Sequence, residues 1–357
     1  FSKYPVVGPM LDEPERMEAL DRGGMLKALS RFPESCAEAI EAAESFPLDG
    51  LPHGALRAVA VAGVGGSAIG GHLLRDWLRD VSPVPIHVSR GYHLPKAVDR
   101  ETLVLAVSYS GDTEETLSAL REALERRCPV ITMTSGGEMR RLSEEMEIPC
   151  LPLPRGMQPR AALPNQFFSL ATVAKRLGLA SEAWGEVPEA IEVLTDLRGD
   201  LAPETPASSN PAKRLALGME GLVPFVYGPR LFEAVAYRIS TELNENGKVP
   251  AASSFFPEAF HNAVMGCEGP EKVRRSICAL VIRDPGEPPK MTRKIDVFEQ
   301  LMESAGIRVL EIRARGWGRL ARMLSALYVG DYASTYLGLL YRLDPSSTDS
   351  IAAIKKA

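Results

Sequence analysis

The chain lacks the marks of a membrane-spanning, secreted or nucleic-acid-binding protein. No apolar run approaches the ~20 residues of a membrane-spanning helix. The opening Phe1-Ser-Lys-Tyr-Pro has no apolar core of a secretory signal, and the missing initiator Met points to processing or trimming. Basic runs never exceed a few residues, and a net charge of −5 with a pI of about 5.7 argues against a nucleic-acid partner. The five cysteines, Cys36, Cys128, Cys150, Cys267 and Cys278, show no Cys-x-x-Cys spacing. That odd, scattered set reads as reduced thiols of a cytoplasmic protein, each a small buried apolar residue. The five histidines, His53, His72, His87, His93 and His261, show no ligand spacing with acidic or thiol partners, so no metal site is expected.

What is present is an ordinary globular composition, 45% apolar and 24% charged, in 357 residues, enough for two domains with sizeable cores. Short apolar runs at 57–63, 85–89, 102–107, 129–133 and 149–153 alternate with helical patterns, the mark of a parallel doubly wound sheet with ligands at the carboxyl ends of its strands. Residues 10–45 read as helices packed against this first domain, and 161–178 as its closing helix. The Pro- and Ser-rich stretch 198–212 reads as a linker between residues 1–197 and 213–357. Beyond it the alternation restarts: strands at 223–227, 277–282 and 309–312, and helices at about 230–244, 291–304 and 318–341.

Two turns point to a phosphate. The first strand runs into Val64-Gly65-Gly66-Ser67-Ala-Ile-Gly-Gly and a helix through Leu73, Leu74, Trp77 and Leu78. Gly65 and Gly66 let the backbone approach a ligand, while free N–H groups and the helix dipole favour an anion there. The turn lacks the Gly-Lys-Ser/Thr ending of a nucleotide P-loop and departs from dinucleotide Gly-x-Gly-x-x-Gly spacing. The strand 102–107 then runs into Ser108-Tyr-Ser110-Gly-Asp-Thr113-Glu-Glu-Thr, where three hydroxyls converge at the start of a helix. Capping that helix would take only one of Asp112 or Thr113, so the cluster exceeds what a cap requires and fits a phosphate monoester.

A third segment holds groups able to move a proton. Glu245 ends a helical pattern, and His261 follows sixteen residues later in Pro-Glu-Ala-Phe-His-Asn. Alone, the first also reads as a solvated carboxylate and the second as a helix-capping histidine.

Gly65-Gly66-Ser67 together with Ser108-Tyr-Ser110-Gly-Asp-Thr113-Glu-Glu-Thr resembles the sugar isomerase (SIS) domain. Pro159-Arg160-Ala-Ala-Leu-Pro164, Asn244-Glu245-Asn246, Pro257-Glu258 with His261-Asn262, and Gly330-Asp331 with Ser334 resemble one branch of it, the bifunctional phosphoglucose/phosphomannose isomerases. The likeness runs from about residue 20 to the C-terminus. It implies an α/β protein of two tandem SIS-type doubly wound parallel-sheet domains flanked by helices. It also implies an aldose–ketose isomerase for glucose and mannose 6-phosphates that uses neither metal nor cofactor.

Such a reaction moves a hydrogen from carbon 2 to carbon 1 through an enediolate and needs a carboxylate base, a cation near the oxyanion and a ring-opening acid. The resemblance assigns these to Glu245, Arg160 and His261. It places the phosphate on Gly66, Ser67, Ser108, Ser110 and Thr113, Thr348 near the sugar so that both carbon 2 epimers fit, and Lys355 on the ring oxygen. Arg160 also reads as a surface ion-pair partner, and Lys355 as part of a frayed tail. The resemblance further implies a homodimer in which His261 reaches the neighbouring subunit's site. The aromatic stretch Ala252-Ser-Ser-Phe255-Phe256-Pro257 then reads as an interface loop, or else as core filling. Two rivals remain: a non-catalytic phosphosugar sensor, which has no need of Glu245 with His261, and an amino-sugar phosphate isomerase or deaminase.

Overall fold

The computed structural model describes residues 10–48 and 56–355; the N-terminal pentapeptide, His53, residues 356–357 and the side chain of Lys355 lie outside the described residues. Two compact units emerge, one of residues 31–188, the other combining the chain up to Ser30 with residues 189 onward. The expected division at 198–212 is thus displaced, and the N-terminal helices change sides. Helices α1 (Pro14–Leu20) and α2 (Met25–Ser30) belong with the C-terminal unit. There α2 packs on the long helix of that unit, where Tyr328 Oη donates 2.7 Å to the Leu29 carbonyl, and Asp21 caps α2 by accepting from the Met25 and Leu26 amides, both at 2.8 Å.

The unit 31–188 comprises α3 (Phe32–Glu44), β1 (Ala58–Ala62), α4 (Gly66–Leu78), β2 (Ile86–Ser89), β3 (Thr102–Val107), α5 (Glu114–Glu125), β4 (Val130–Thr134), α6 (Gly137–Glu145), β5 (Cys150–Pro152) and α7 (Leu163–Arg176). All five strands are parallel in the order β2-β1-β3-β4-β5. β3 is buried at every position and β1 at all but its first residue, as expected of a sheet covered by helices on both faces. The chain reverses its direction of winding between β1 and β3, so the crevice beyond their carboxyl ends is where this topology places a ligand. α4 lies close on β1: a Cβ at Gly71 would stand 2.7 Å from Val61 Cγ1, so no larger residue fits.

The C-terminal unit continues with α8 (Val187–Leu201), α9 (Pro211–Met219), β6 (Val223–Pro229), α10 (Glu233–Glu245), β7 (Ala252–Phe256), α11 (Glu271–Arg274), β8 (Ile277–Arg283), α12 (Pro289–Ser304), β9 (Arg308–Arg313), α13 (Arg319–Leu340) and α14 (Asp349–Lys355). Its sheet is also wholly parallel, in the order β7-β6-β8-β9. α13, apolar and buried on almost every side, is the central helix on which α2, α9 and α10 pack.

Two segments read from composition turn out otherwise. Residues 198–212 are no open linker: Asn210 caps α9 by accepting from the Ala212 and Lys213 amides, and buried Lys213 donates to the carbonyls of Pro203 (2.7 Å) and Thr205 (2.8 Å). Residues 252–256 are an edge strand. Phe256 is fully buried, stacked on Phe260 and packed against Tyr227 and Phe298, so it fills this unit's own core, while Phe255 is half-buried. Of the cysteines, Cys36, Cys128 and Cys278 are buried as read, but Cys150 and Cys267 are only half-buried.

Candidate active site

The unit 31–188 assembles a cradle from the turns after β1 and β3. Gly65 adopts φ 57°, a backbone conformation suited to glycine, and turns the chain straight into α4. A Cβ at Gly66 would lie 3.4 Å from both the Pro159 carbonyl and the Arg160 Cα, so the segment carrying Arg160 borders this turn. Arg160 is only 3% exposed, which removes the surface ion-pair reading, and Gln166 Nε2 steadies the approach to it by donating 3.1 Å to the Pro159 carbonyl. In the second turn, Gly111 (φ 81°) lies so close to Gly136 that any Cβ would overlap its carbonyl oxygen at 1.9 Å.

No side chain caps α5: Thr113 occupies the N-cap position without making the cap bond, and Asp112 is turned away to accept from the Glu138 amide of α6 at 2.9 Å. The hydroxyls are therefore not consumed by capping. Ser67 Oγ accepts from the Tyr109 amide at 3.2 Å, and Ser110 Oγ from the Asp112 amide at 3.3 Å, so each keeps its own proton to donate. Ser108, fully buried, pairs with Thr113 at 2.9 Å and accepts from the Gly111 amide at 3.0 Å. Of that pair only Thr113 is partly exposed, so Ser108 serves to orient it. The hydroxyls of Ser67, Ser110 and Thr113 and two helix N-termini suit the three oxygens of a phosphate monoester.

The C-terminal unit places Glu245 as the last residue of α10, partly buried, beside a fully buried polar network. Arg238, one side of that network, makes a two-bonded clamp on Asp331 of α13 at 3.1 and 3.0 Å and an ion pair with Glu242 at 2.7 Å. Burial opposes the guanidinium charge, but Asp331 and Glu242 more than offset it and keep Arg238 protonated. Asn246, with no exposed surface, donates to Glu242 Oε2 at 2.8 Å and Ser334 Oγ at 3.1 Å. Glycine at 338 lets α13 come this close, since a Cβ there would lie 2.3 Å from the Asn246 carbonyl. Glu245 thus extends from backbone held rigidly on its C-terminal side.

Thr348, partly exposed, lies just before α14, where its carbonyl accepts from the Ala352 amide at 2.9 Å; Lys355 ends that helix. The preceding residues are tied to α10 by Lys248, whose ammonium donates to the carbonyls of Glu245, Pro345 (3.3 Å) and Ser347 (2.6 Å). So Thr348 and Glu245 are brought to one end of this unit. His261 closes the short 3-10 turn Glu258–Phe260, where its own amide donates 2.9 Å to the Glu258 carbonyl, and it is exposed; it caps no α-helix. His72, by contrast, is buried in α4 and pushed down to about 4, by burial first and then by Arg75 and Arg90, so it is neutral. Sequence reasoning missed Lys248 and Arg238. The Gly-Lys pair directly after Asn-Glu-Asn was the one available signal for the former, and nothing local announced the latter.

Comparison with known proteins shows the family. The family described as the SIS domain matches residues 57–174, and the bacterial phospho-glucose isomerase C-terminal SIS domain matches residues 208–357. A bifunctional phosphoglucose/phosphomannose isomerase of Caldicellulosiruptor bescii is 36% identical over 332 residues, 93% of this chain and 98% of that protein. The chain belongs to this family. An enzyme of the same description from Aquifex aeolicus is 32% identical over 84% of this chain and 90% of its own length. At 17% identity, a hypothetical protein of Thermus thermophilus shares the fold, with a TM-score of 0.72 over 98% of this chain and 93% of that one.

Proposed function

We propose that the chain is a metal-independent isomerase that interconverts glucose 6-phosphate and mannose 6-phosphate with fructose 6-phosphate. The observation that carries this reading is the cradle after β1 and β3, where Ser67 and Ser110 accept from backbone amides and so keep their own protons to donate, Thr113 makes no cap bond to α5, and Gly66 stands at the N-terminus of α4. With the phosphate held there, Glu245 removes the proton from carbon 2 and returns it to carbon 1. Arg160 supports the enediolate charge between the two transfers, so no metal is required for it. His261 and Lys355 serve ring opening, and Thr348 faces the carbon 2 hydroxyl in both epimers. His261 would act in the site of a second copy of this chain in a homodimer of the cytoplasm, a role that its exposure in its own chain favours.

The test is a coupled assay of the purified chain with glucose 6-phosphate, mannose 6-phosphate and glucosamine 6-phosphate, before and after exhaustive chelation. Both neutral sugars should turn over, with chelation without effect. Activity that vanishes and returns with zinc would overturn the metal-independent reading. Tight binding with no turnover would favour a phosphosugar sensor, and turnover of glucosamine 6-phosphate alone an amino-sugar enzyme.

A further inference from the structure

We propose that Lys248 is the positioning residue of this isomerase: its ammonium fastens the segment bearing Thr348 to the end of the helix bearing Glu245. The proposal rests on the functional reading above and adds to it the device that sets the sugar-facing threonine against the base. A lysine ammonium offers three N–H donors, and three backbone carbonyls receive them here, those of Glu245, Pro345 and Ser347. The first lies three residues away; the other two lie 97 and 99 residues away, across β7, β8, β9 and α13. The carbonyl of Ser347 belongs to the same peptide unit as the Thr348 nitrogen, so the bond at 2.6 Å holds the backbone directly at Thr348.

Both ends of this link are themselves braced. Lys248 takes φ 56°, a left-handed conformation that a residue with a side chain rarely adopts. Two residues before it, Asn246 is locked to Glu242 and Ser334. On the far side, Asp344 accepts from the Ser346 amide (2.9 Å) and hydroxyl (2.6 Å), and Ser347 Oγ donates 2.9 Å to Asp349 at the start of α14. The segment between Tyr341 and α14 is short and polar; Leu343 is exposed, while Pro345 and Ser346 are buried. The carbonyl bonds to one ammonium tie this segment to the end of α10.

Lys248→Met keeps the length and apolar stem and removes all three donors. We expect kcat for both sugar phosphates to fall by about tenfold to a hundredfold, with KM within about threefold because the phosphate cradle is untouched. Amide exchange across residues 343–355 should quicken about tenfold or more, with β1 to β5 unchanged. Because Lys248 acts through Thr348, the double variant Lys248→Met with Thr348→Ala should be no slower than the slower single variant. Lys248→Gln, which retains part of the donor set, should fall between wild type and Lys248→Met, and it serves as the probe if the methionine variant does not fold.

Wild-type kcat in Lys248→Met would overturn the proposal, and so would losses that simply multiply in the double variant. If the wild-type chain isomerises neither sugar, the functional reading fails instead. The exchange measurement then judges the anchor alone, and unchanged exchange across 343–355 overturns it.

Discussion

Glu245 shows how a common side chain becomes a candidate base through its setting. Its carboxylate is only partly buried, but its peptide continues into Asn246, which is wholly buried and doubly bonded, so the base has a defined origin and little freedom to drift. Glu245→Gln keeps the shape and removes the basicity. Turnover should drop by about 10²–10⁴-fold in the coupled assay while phosphate binding stays nearly intact; turnover close to wild type would make it a mere helix-end carboxylate. Glu299 is a contrasting case in α12. It pairs with Arg283 at 2.7 Å through Oε2, while its buried Oε1 has no partner. Burial, ahead of the opposing pull of Arg283, pushes its carboxyl up to about 7. Because the folded value lies above the unfolded one, the folded state holds the extra proton, and stability is lost as pH rises from about 4.5 to about 7. Glu299→Gln should therefore gain on wild type by on the order of 1–3 kcal/mol at pH 8 and show no such gain at pH 4, measured by urea unfolding at both. Neither group's environment was legible in the sequence, because each depends on partners outside its own helix, Arg283 sixteen residues from Glu299 and Ser334 88 residues from Asn246.

Among the elements, the strand–turn–helix units of residues 57–126 were the most legible. Their apolar runs and glycine turns are local signals, and β1, α4, β3 and α5 fall within a few residues of the expected limits. The structure adds how the hydroxyls are placed: Ser108 fully buried and paired with Thr113, Ser67 buried against the Tyr109 amide, Ser110 exposed and Thr113 partly exposed. Ser110→Ala and Thr113→Ala each remove a neutral donor to a charged acceptor, so each should weaken binding of 5-phosphoarabinonate, an enediolate mimic, by about tenfold to a hundredfold in a calorimetric titration. Unchanged affinity in the double variant would put the phosphate elsewhere. β7 was not legible as a strand. Ala-Ser-Ser-Phe-Phe between prolines has no alternation to mark it, and it becomes one only by pairing with β6, register Phe225↔Ala252 through Pro229↔Phe256.

At the scale of the whole molecule the open question is assembly. With Phe256 in the core of its own unit, the case for a dimer rests on exposed His261 and no longer on this aromatic pair. If His261 completes a neighbour's site, Glu245→Gln and His261→Ala chains, each nearly inactive alone, should regain activity when mixed after reversible dissociation. Recovery should approach about a quarter of wild-type activity for random exchange, since half of the dimers are mixed and each holds one intact site. No recovery, or a fully active monomer by sedimentation, would defeat the shared site.

The sequence by itself determined the α/β class, most strands and helices and the two glycine- and hydroxyl-rich turns, because these are written in local periodicity and in motifs of adjacent residues, while the candidacy of Glu245, Arg160 and His261 came with the family resemblance of those motifs. Only the tertiary structure decided which body the N-terminal helices join, that residues 198–212 are packed, that Arg160 is buried, and that Lys248 ties Glu245 to the segment before Thr348. The physical reason is range. Periodicity records which face of an element is buried, whereas domain membership, burial of a single cation and a carbonyl bond 99 residues away follow from chain closure, which no local pattern encodes.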